Sequence, residues 1–484
     1  MYSEIKKRKL ALLTDLYELL MMQGYFKISK FKNKIAVFDV FYRKNPYGNG
    51  FCIFAGLTEI IDFIMNLKFD DSDIEYLKRT KLFDEDFLLY LKKFKWSGSV
   101  YSFLEGSIIN KKEPVIKIVA PLIEAQLIES AVLAIFNHET MVATKAYRIC
   151  KAANGKSVME FGLRRAHSID SSIYGAKASV IAGCVGTSNV LTAKMYDLTP
   201  MGTQAHSWIM SFDNEYDAFY EFAKLYKDMC ILLVDTYDTL KSGIPNAIKV
   251  FKEMKKENIN LTKYGIRIDS GDLAYLSNEA RKMLDSEGFT DALICVSNDL
   301  DESIIMSLEY QKAKIDLYGV GTKLITCDPD GSLGGVYKMS AIGDLENLEP
   351  KIKISENSEK ITNPGNKEVY RIFHNNNMIA DLIALSDEVV DNKNDLELFD
   401  PVETWKKTYL KKNEYTVEKM LKPIILNGEL VYKDCSLKEK NEYFNETKKY
   451  LTENHLRLIN PKEYYVDLSK KLYELKLNML YNYK

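Results

Sequence analysis

Between residues 158 and 322 the chain repeats one pattern that few folds can accommodate. Short apolar runs stand at Val158–Phe161, Ile181–Val185, Ile231–Val234, Ile266–Ile268, Leu293–Val296 and Ile315–Tyr318. Most are separated by about 10–20 residues of helical periodicity. Short buried strands alternating with helices build parallel βαβ units, and six of them call for a barrel or a doubly wound sheet. The residues immediately after the runs separate the two. Val158–Phe161 leads into Gly162-Leu163-Arg164-Arg165, Ile231–Val234 into Asp235, and Ile266–Ile268 into Asp269-Ser270-Gly271-Asp272. Leu293–Val296 leads into Ser297-Asn298-Asp299, and Ile315–Tyr318 into Gly319-Val320-Gly321-Thr322. The polar and glycine-rich residues gather at the carboxyl ends of the strands, where a parallel α/β barrel collects its active site.

The flanks have a different rhythm. Thr14 is placed to cap a helix from Asp15 to Phe26, Ala36–Tyr42 reads as a strand and Pro46–Gly50 as a turn. Tyr101–Ile109 and Val115–Val119 read as strands around a charged turn. A long helical pattern after Pro121 runs to about Ala153 and stops at Asn154-Gly155. Residues 350–390 read as antiparallel strands around Asn363-Pro364-Gly365, and Asn460–Lys484 as a helix or two forming a structural cap. The expected division is an N-terminal α+β segment over 1–120, a catalytic α/β barrel over 121–343, and a C-terminal α+β segment over 344–484 that packs with the first.

Composition excludes several classes of function. Lys+Arg 66 against Asp+Glu 68 leaves a formal charge of −2, so there is no basic footprint for nucleic acid. Only ten of the cations are arginine, which makes each arginine more informative. The seven cysteines form no CxxC pair, which argues against a zinc ribbon and for a reducing, cytoplasmic setting. No window of about 18 uncharged apolar residues exists, so no membrane span is expected.

Several motifs carry chemistry. Gly319-Val320-Gly321-Thr322 after a strand offers backbone N–H groups and a hydroxyl to an anion, although a bare turn has the same composition. Gly331-Ser332-Leu333-Gly334-Gly335 is a second such turn, and two near one barrel face suit a ligand with two phosphate ends. There is no GxxxxGK[ST], so any use of ATP must proceed without a Walker loop. In Arg267-Ile268-Asp269-Ser270-Gly271 a cation and a carboxylate alternate on one side of a strand, as a sugar phosphate requires; a buried structural ion pair is the alternative. Phe161 and Arg164 pair a ring face with a guanidinium, as a flat aromatic acid requires. His206, in Thr203-Gln204-Ala205-His206, alone among five histidines has small polar neighbours in an active-face loop. No cluster has zinc spacing, and no resident metal site is assigned from the sequence.

Nine ordered motifs together resemble the nicotinate phosphoribosyltransferase family. They are TDLYELLMMQGYF (14–26), FYRKNPYGNGFCIFAGL (41–57), FGLRRAH (161–167), GTSNVL (186–191), MGTQAHSW (201–208), VDTYDTL (234–240), GIRIDSGDL (265–273), YGVGTKL (318–324) and SLGGVYK (332–338). The resemblance implies an irregular, TIM-like parallel α/β barrel of the type II phosphoribosyltransferases, with a mixed α+β domain built from the two chain ends. It implies transfer of a phosphoribosyl group from 5-phosphoribosyl-1-pyrophosphate to nicotinate in NAD salvage, coupled to ATP hydrolysis through a phosphohistidine at His206, with Mg²⁺ on the pyrophosphate. Transfer of the ring needs no protein nucleophile and passes through an oxocarbenium-like state. Asp235 and Asp269 would meet the ribose and Mg²⁺-linked groups. Phe161 would stack on the pyridine ring, and Arg164, Thr203 and Arg267 would hold the nicotinate side. Ser270, Gly271, Gly319, Gly321 and Thr322 would hold the phosphoribosyl end. Family members are homodimers with shared sites, so Tyr17 of a partner subunit would cover the other face of the ring, and Arg43, with Lys44, would reach phosphates across the interface.

Position 188 separates acid from amide substrates. Related nicotinamide enzymes carry an acidic residue where GTSNV has Ser188. Like charges ~4 Å apart at an effective dielectric of ~20 repel by about 4 kcal/mol, so the neutral Ser188 favours the acid. The competing readings are a nicotinamide phosphoribosyltransferase and a non-catalytic sugar-phosphate-binding protein on the same scaffold. Against the family pattern, Asp328 stands where proline is common, and the last ~90 residues carry no matching motif.

Overall fold

The computed structural model describes residues 7–403 and 405–482. The chain forms two compact units. One is Val142–Gly331; the other combines the chain before it with the chain from Ser332 onward.

The first unit carries six parallel strands: β1 (Ser157–Glu160), β2 (Gly186–Thr187), β3 (Cys230–Leu233), β4 (Tyr264–Ile268), β5 (Leu293–Val296) and β6 (Leu317–Val320). Their lateral order is β2-β1-β6-β5-β4-β3, with every ladder between them parallel. Among the described residues this is the cyclic order of a barrel with one ladder missing, between β2 and β3. The segment Met201–Gln204 lies in that seam. Met201 N–H donates to Thr187 O at 2.9 Å, and Gln204 Nε2 to Ile231 O at 3.4 Å. Helices Ile169–Ile181, Ile244–Lys256, Leu273–Ser286 and Glu302–Tyr310 make the crossovers. Met159, Ile231 and Cys295 cluster in the core with Phe161, Met201 and Leu317 packed on them. Burial pushes the Cys295 thiol up to about 12.

Two strands differ from their expected positions. Ile181 ends a helix, and the strand expected at Ile181–Val185 is displaced to the two residues Gly186–Thr187. The apolar run instead buries a helix end, and periodicity cannot tell the two apart. β6 starts at Leu317 rather than Ile315 and takes in Gly319 and Val320, so the glycines belong partly to the strand.

In the second unit a seven-stranded antiparallel sheet draws on both ends of the chain. It orders Asn347–Pro350, Gly335–Asp344, Ile35–Tyr42, Ile116–Pro121, Ser99–Ser102, Lys422–Leu426 and Glu429–Leu430. A six-stranded sheet is built from Lys367 onward, in which Asn377–Leu385 pairs in parallel with Tyr465–Leu468. Buried ion pairs join residues distant in sequence: Lys367 to Asp39 at 2.8 Å and Lys117 to Glu368 at 2.7 Å. The α+β domain is therefore built from N- and C-terminal segments together. Asp15, not Thr14, is the N-cap of helix Leu16–Lys27; the Thr14 hydroxyl donates to Leu127 O at 3.1 Å. The helical stretch after Pro121 is two helices, Leu122–Leu127 and Glu129–Ala152. The C-terminal hairpin Lys367–His374/Asn377–Leu385 turns at Asn375-Asn376, both at positive φ, and not at Asn363-Pro364-Gly365. Asparagine tolerates that conformation because its short side chain bonds locally. After Asn460 the described chain forms one strand and one helix, Lys470–Asn482.

β4 and β5 approach each other closely at Gly265. A Cβ there would lie 2.0 Å from Leu293 O, a backbone atom that cannot move aside. Gly265→Ala is expected to destabilise the protein by about 3 kcal/mol, the upper end of overpacking costs, measured as the shift of a urea unfolding midpoint.

Candidate active site

The carboxyl ends of the barrel strands open on a cavity of about 620 Å³. Each wall is set by the strand beneath it. β1 ends in Glu160 and delivers Phe161 and the exposed Arg164 on a short turn. β2 delivers Ser188, the seam delivers Thr203, and β4 delivers Arg267 with Asp269 beyond its end. β5 delivers Ser297-Asn298-Asp299, and β6 delivers Gly319, Gly321 and Thr322. The Phe161 ring lies against the β6 backbone: a Cβ on Gly319 would stand 2.5 Å from it. The glycine therefore seats the aromatic ring as well as lining the cavity.

Two carboxylates organise the polar side. Asp269 accepts from the Ser297 hydroxyl on one oxygen. Its other oxygen faces Arg267 at 3.9 Å and His206 Nε2 at 3.8 Å. Asp235 accepts the Asp269 backbone N–H at 3.0 Å and the Ser270 hydroxyl at 2.6 Å through Oδ2, while its Oδ1 is buried with no partner among the described residues. Arg267 donates to the Thr203 hydroxyl, and its Nε is likewise buried with no partner among them. The strand ends thus hold a guanidinium with a spare donor and a carboxylate with a spare acceptor, an arrangement suited to a bound group with both charge signs. His206 Nδ1 lies 3.1 Å from the Thr236 hydroxyl, which leaves Nε2 towards Asp269.

Of the residues singled out from the sequence, Phe161, Arg164, Ser188, Thr203, Arg267, Asp269, Gly319, Gly321 and Thr322 line the cavity. His206, Asp235 and Ser270 do not line it but are tied to it through Asp269, with Gly271 next in the loop at φ +83°. Tyr17, Arg43 and Lys44 belong to the other unit. Arg43 lines a separate cavity there, with Lys112, Lys338 and Lys476 among its neighbours. The second glycine turn does not line the barrel cavity: Gly335 donates to Asn137 Oδ1 at 2.8 Å in the other unit.

Sequence reasoning passed over Glu160. It is fully buried on β1, and its carboxylate accepts from the Gly162 N–H on one oxygen and the Thr187 hydroxyl on the other, the latter at 2.5 Å. Its carbonyl accepts from Ser188 N–H at 3.0 Å. One side chain thus ties the Phe161–Arg164 turn to the Thr187-Ser188 turn. The signal was present as an acid inside an apolar run. Asn298 and Asp299, both at positive φ, were legible only as polar loop residues.

Comparison with known proteins places the whole chain. "Nicotinate phosphoribosyltransferase (NAPRTase) family" matches residues 156–390, and the N- and C-terminal domains of the same family match 12–137 and 366–476. A Bacillus subtilis (strain 168) protein named nicotinate phosphoribosyltransferase is 43% identical over 481 residues, covering 99% of this chain and 97% of that one. A Caenorhabditis elegans protein of the same name is 35% identical over 525 residues, covering 96% and 92%. The crystal structure of human nicotinic acid phosphoribosyltransferase superposes with a TM-score of 0.84 at 25% identity, covering 97% of this chain and all of that one.

Burial raises the Glu160 carboxyl above the ordinary carboxylate range, outweighing the lowering by its two hydrogen bonds. The folded state therefore holds this proton more tightly than the unfolded state does. The native carboxylate takes stability away as pH rises from about 4 through its raised value. Glu160→Gln is expected to unfold at a higher urea midpoint than the native protein at pH 8, with the difference vanishing near about pH 4.

Proposed function

The chain belongs to the nicotinate phosphoribosyltransferase family, and on that premise we propose how its cavity serves the reaction. Nicotinate and 5-phosphoribosyl-1-pyrophosphate give nicotinate mononucleotide and pyrophosphate, with ATP hydrolysed to ADP and phosphate through a phosphohistidine. The observation that carries the reading is Arg267: its side chain is only 13% exposed, it is oriented by Thr203, and it keeps a buried donor free at the cavity wall. A pyridine carboxylate can take that donor while the ring lies against Phe161, and Arg164 supplies a second cation. Ser188 leaves this wall uncharged.

The phosphoribosyl end would lie towards Gly319, Gly321 and Thr322, with Asp235, Asp269, Ser270 and Gly271 meeting the ribose. Mg²⁺ fits this oxygen-rich group, because Asp235 Oδ1 is a buried oxygen without a partner among the described residues; Asp235 and Asp269 would hold the ion, which would neutralise the leaving pyrophosphate. The protein's own share is positioning: it holds nitrogen and sugar carbon in line and excludes water from the ring-stacking side. His206 offers Nε2 to the phosphoryl group, since Nδ1 faces Thr236. A phosphoryl group there would repel the Asp269 carboxylate, releasing it from the histidine to the ribose hydroxyls; two unit charges ~4 Å apart repel by about 4 kcal/mol at an effective dielectric of ~20. That links ATP use to sugar binding.

In a homodimer with shared sites, Tyr17 of a second copy would cover the ring, and its Arg43 and Lys44 would meet phosphates. Tyr17 is 47% exposed on a helix that also exposes Leu16 and Leu20, an apolar face suited to burial against another chain.

Pyrophosphate release by the purified protein, measured with nicotinate and nicotinamide side by side, tests the reading; equal or better use of nicotinamide overturns it. Ser188→Asp is expected to lower kcat/KM for nicotinate at least about 100-fold and to move preference towards the amide. His206→Ala is expected to take up no ³²P from [γ-³²P]ATP while retaining slow transfer at high sugar-substrate concentration. Full ATP-coupled turnover by that variant would defeat the phosphohistidine role.

A further inference from the structure

Two cysteines outside the cavity stand together. Cys150, half-buried near the end of helix Glu129–Ala152, has its sulfur 3.9 Å from that of the buried Cys184. Gly183 brings them there. Its φ of +123° is a conformation glycine adopts readily, and a Cβ on it would lie 3.4 Å from Cys150 Cβ and 3.5 Å from Cys150 Sγ. Cys184 N–H donates to Ser179 O at 3.0 Å, and Val185 N–H to Val158 O at 2.9 Å, so this turn is fastened directly to β1. Two residues later β2 begins, and Ser188 is on the cavity wall.

We propose that Cys150 and Cys184 are an oxidisable dithiol, a modification site that takes a peroxide as oxidant and whose closure displaces the Gly186–Ser188 wall of the cavity. The half-buried Cys150 meets the oxidant. Its thiolate attacks one peroxide oxygen, the O–O bond breaks, and the other oxygen leaves as water, giving a sulfenic acid. The Cys184 sulfur attacks that sulfur and expels the remaining oxygen as a second water. Two thiols and one hydrogen peroxide thus become one disulfide and two waters, and a dithiol reductant reverses the change. Either sulfur can be the donor in this contact, and the Cys184 thiol is raised first by its bond to Cys150 and then by burial, which leaves the more exposed Cys150 to meet the oxidant first. A disulfide sets the sulfurs about 2.05 Å apart, so they must close up from 3.9 Å, and the Gly183-Cys184 turn that carries one of them is drawn towards the helix. Thr187 is bonded to Glu160 and Ser188 N–H to the Glu160 carbonyl, so the movement reaches the cavity through a short rigid path.

The test uses the full-length protein treated with graded hydrogen peroxide. Cys435, the other half-buried thiol, serves as an internal reference. A loss of two mass units, with a peptide pair joining Cys150 to Cys184 and reversed by dithiothreitol, is expected before Cys435 is half oxidised. Cys184→Ser and Cys150→Ser should each abolish the link, so the result does not hang on one variant folding. Amide hydrogen exchange over residues 185–188 should change at least threefold on oxidation of the native protein and stay unchanged in Cys184→Ser. Oxidation of Cys435 with no 150–184 link overturns the site, and a link without altered exchange overturns its coupling to the cavity. Neither readout depends on which substrate the cavity takes.

Discussion

An open barrel leaves two sheet edges with unpaired backbone groups, and the way this chain closes that gap sets the rest of the site. Buried N–H and C=O groups must find partners. Between Thr187 and Cys230 no strand among the described residues supplies them. The Met201–Gln204 segment does, with one backbone bond to β2 and one side-chain bond to β3. Lying in the seam, it places Thr203 against Arg267 and leads on to His206. A closed eight-stranded barrel would have no such segment at this point, and the guanidinium would need another orienting group.

The polar residues are arranged so that charges are oriented but not fully used. Asp269 shares its oxygens among Ser297, Arg267 and His206, yet the contacts to Arg267 and His206 are long, at 3.9 and 3.8 Å. Arg267 Nε and Asp235 Oδ1 are left over. Buried groups without partners cost stability, and a ligand that bonded to these two would offset that cost. Glu160 obeys the same logic. It is a buried carboxylate with neutral hydrogen-bond partners, held above its ordinary range by burial, and it joins two cavity turns. The geometry it secures is obtained against the preference of a carboxylate for water.

Much of this was legible in the linear order of residues. Most of the Arg, Asp, Ser and Gly residues after the apolar runs line the cavity or are bonded to a residue that does, because parallel strands converge their βα turns on one face. What misled was local. The run Ile181–Val185 looks like a strand but serves a helix end, and Asn363-Pro364-Gly365 looks like a hairpin turn but Asn375-Asn376 makes it. In both cases two segments had similar local preferences, and packing chose between them. Gly319 reads, in sequence, as open to an anion, whereas its neighbour across space is the Phe161 ring.

Alternation of apolar runs with polar turns determined, by itself, that there would be a parallel α/β barrel with chemistry at one end, since period and strand direction are local properties of the chain. The types of side chain needed there were also written in the sequence: a ring, guanidinium groups, carboxylates and a histidine. Only the tertiary structure decided which ladder would be missing, that Glu160 would be buried beneath two turns, and that Cys150 and Cys184 would meet. Those outcomes depend on contacts between segments tens of residues apart, and no local preference encodes the distance at which they settle.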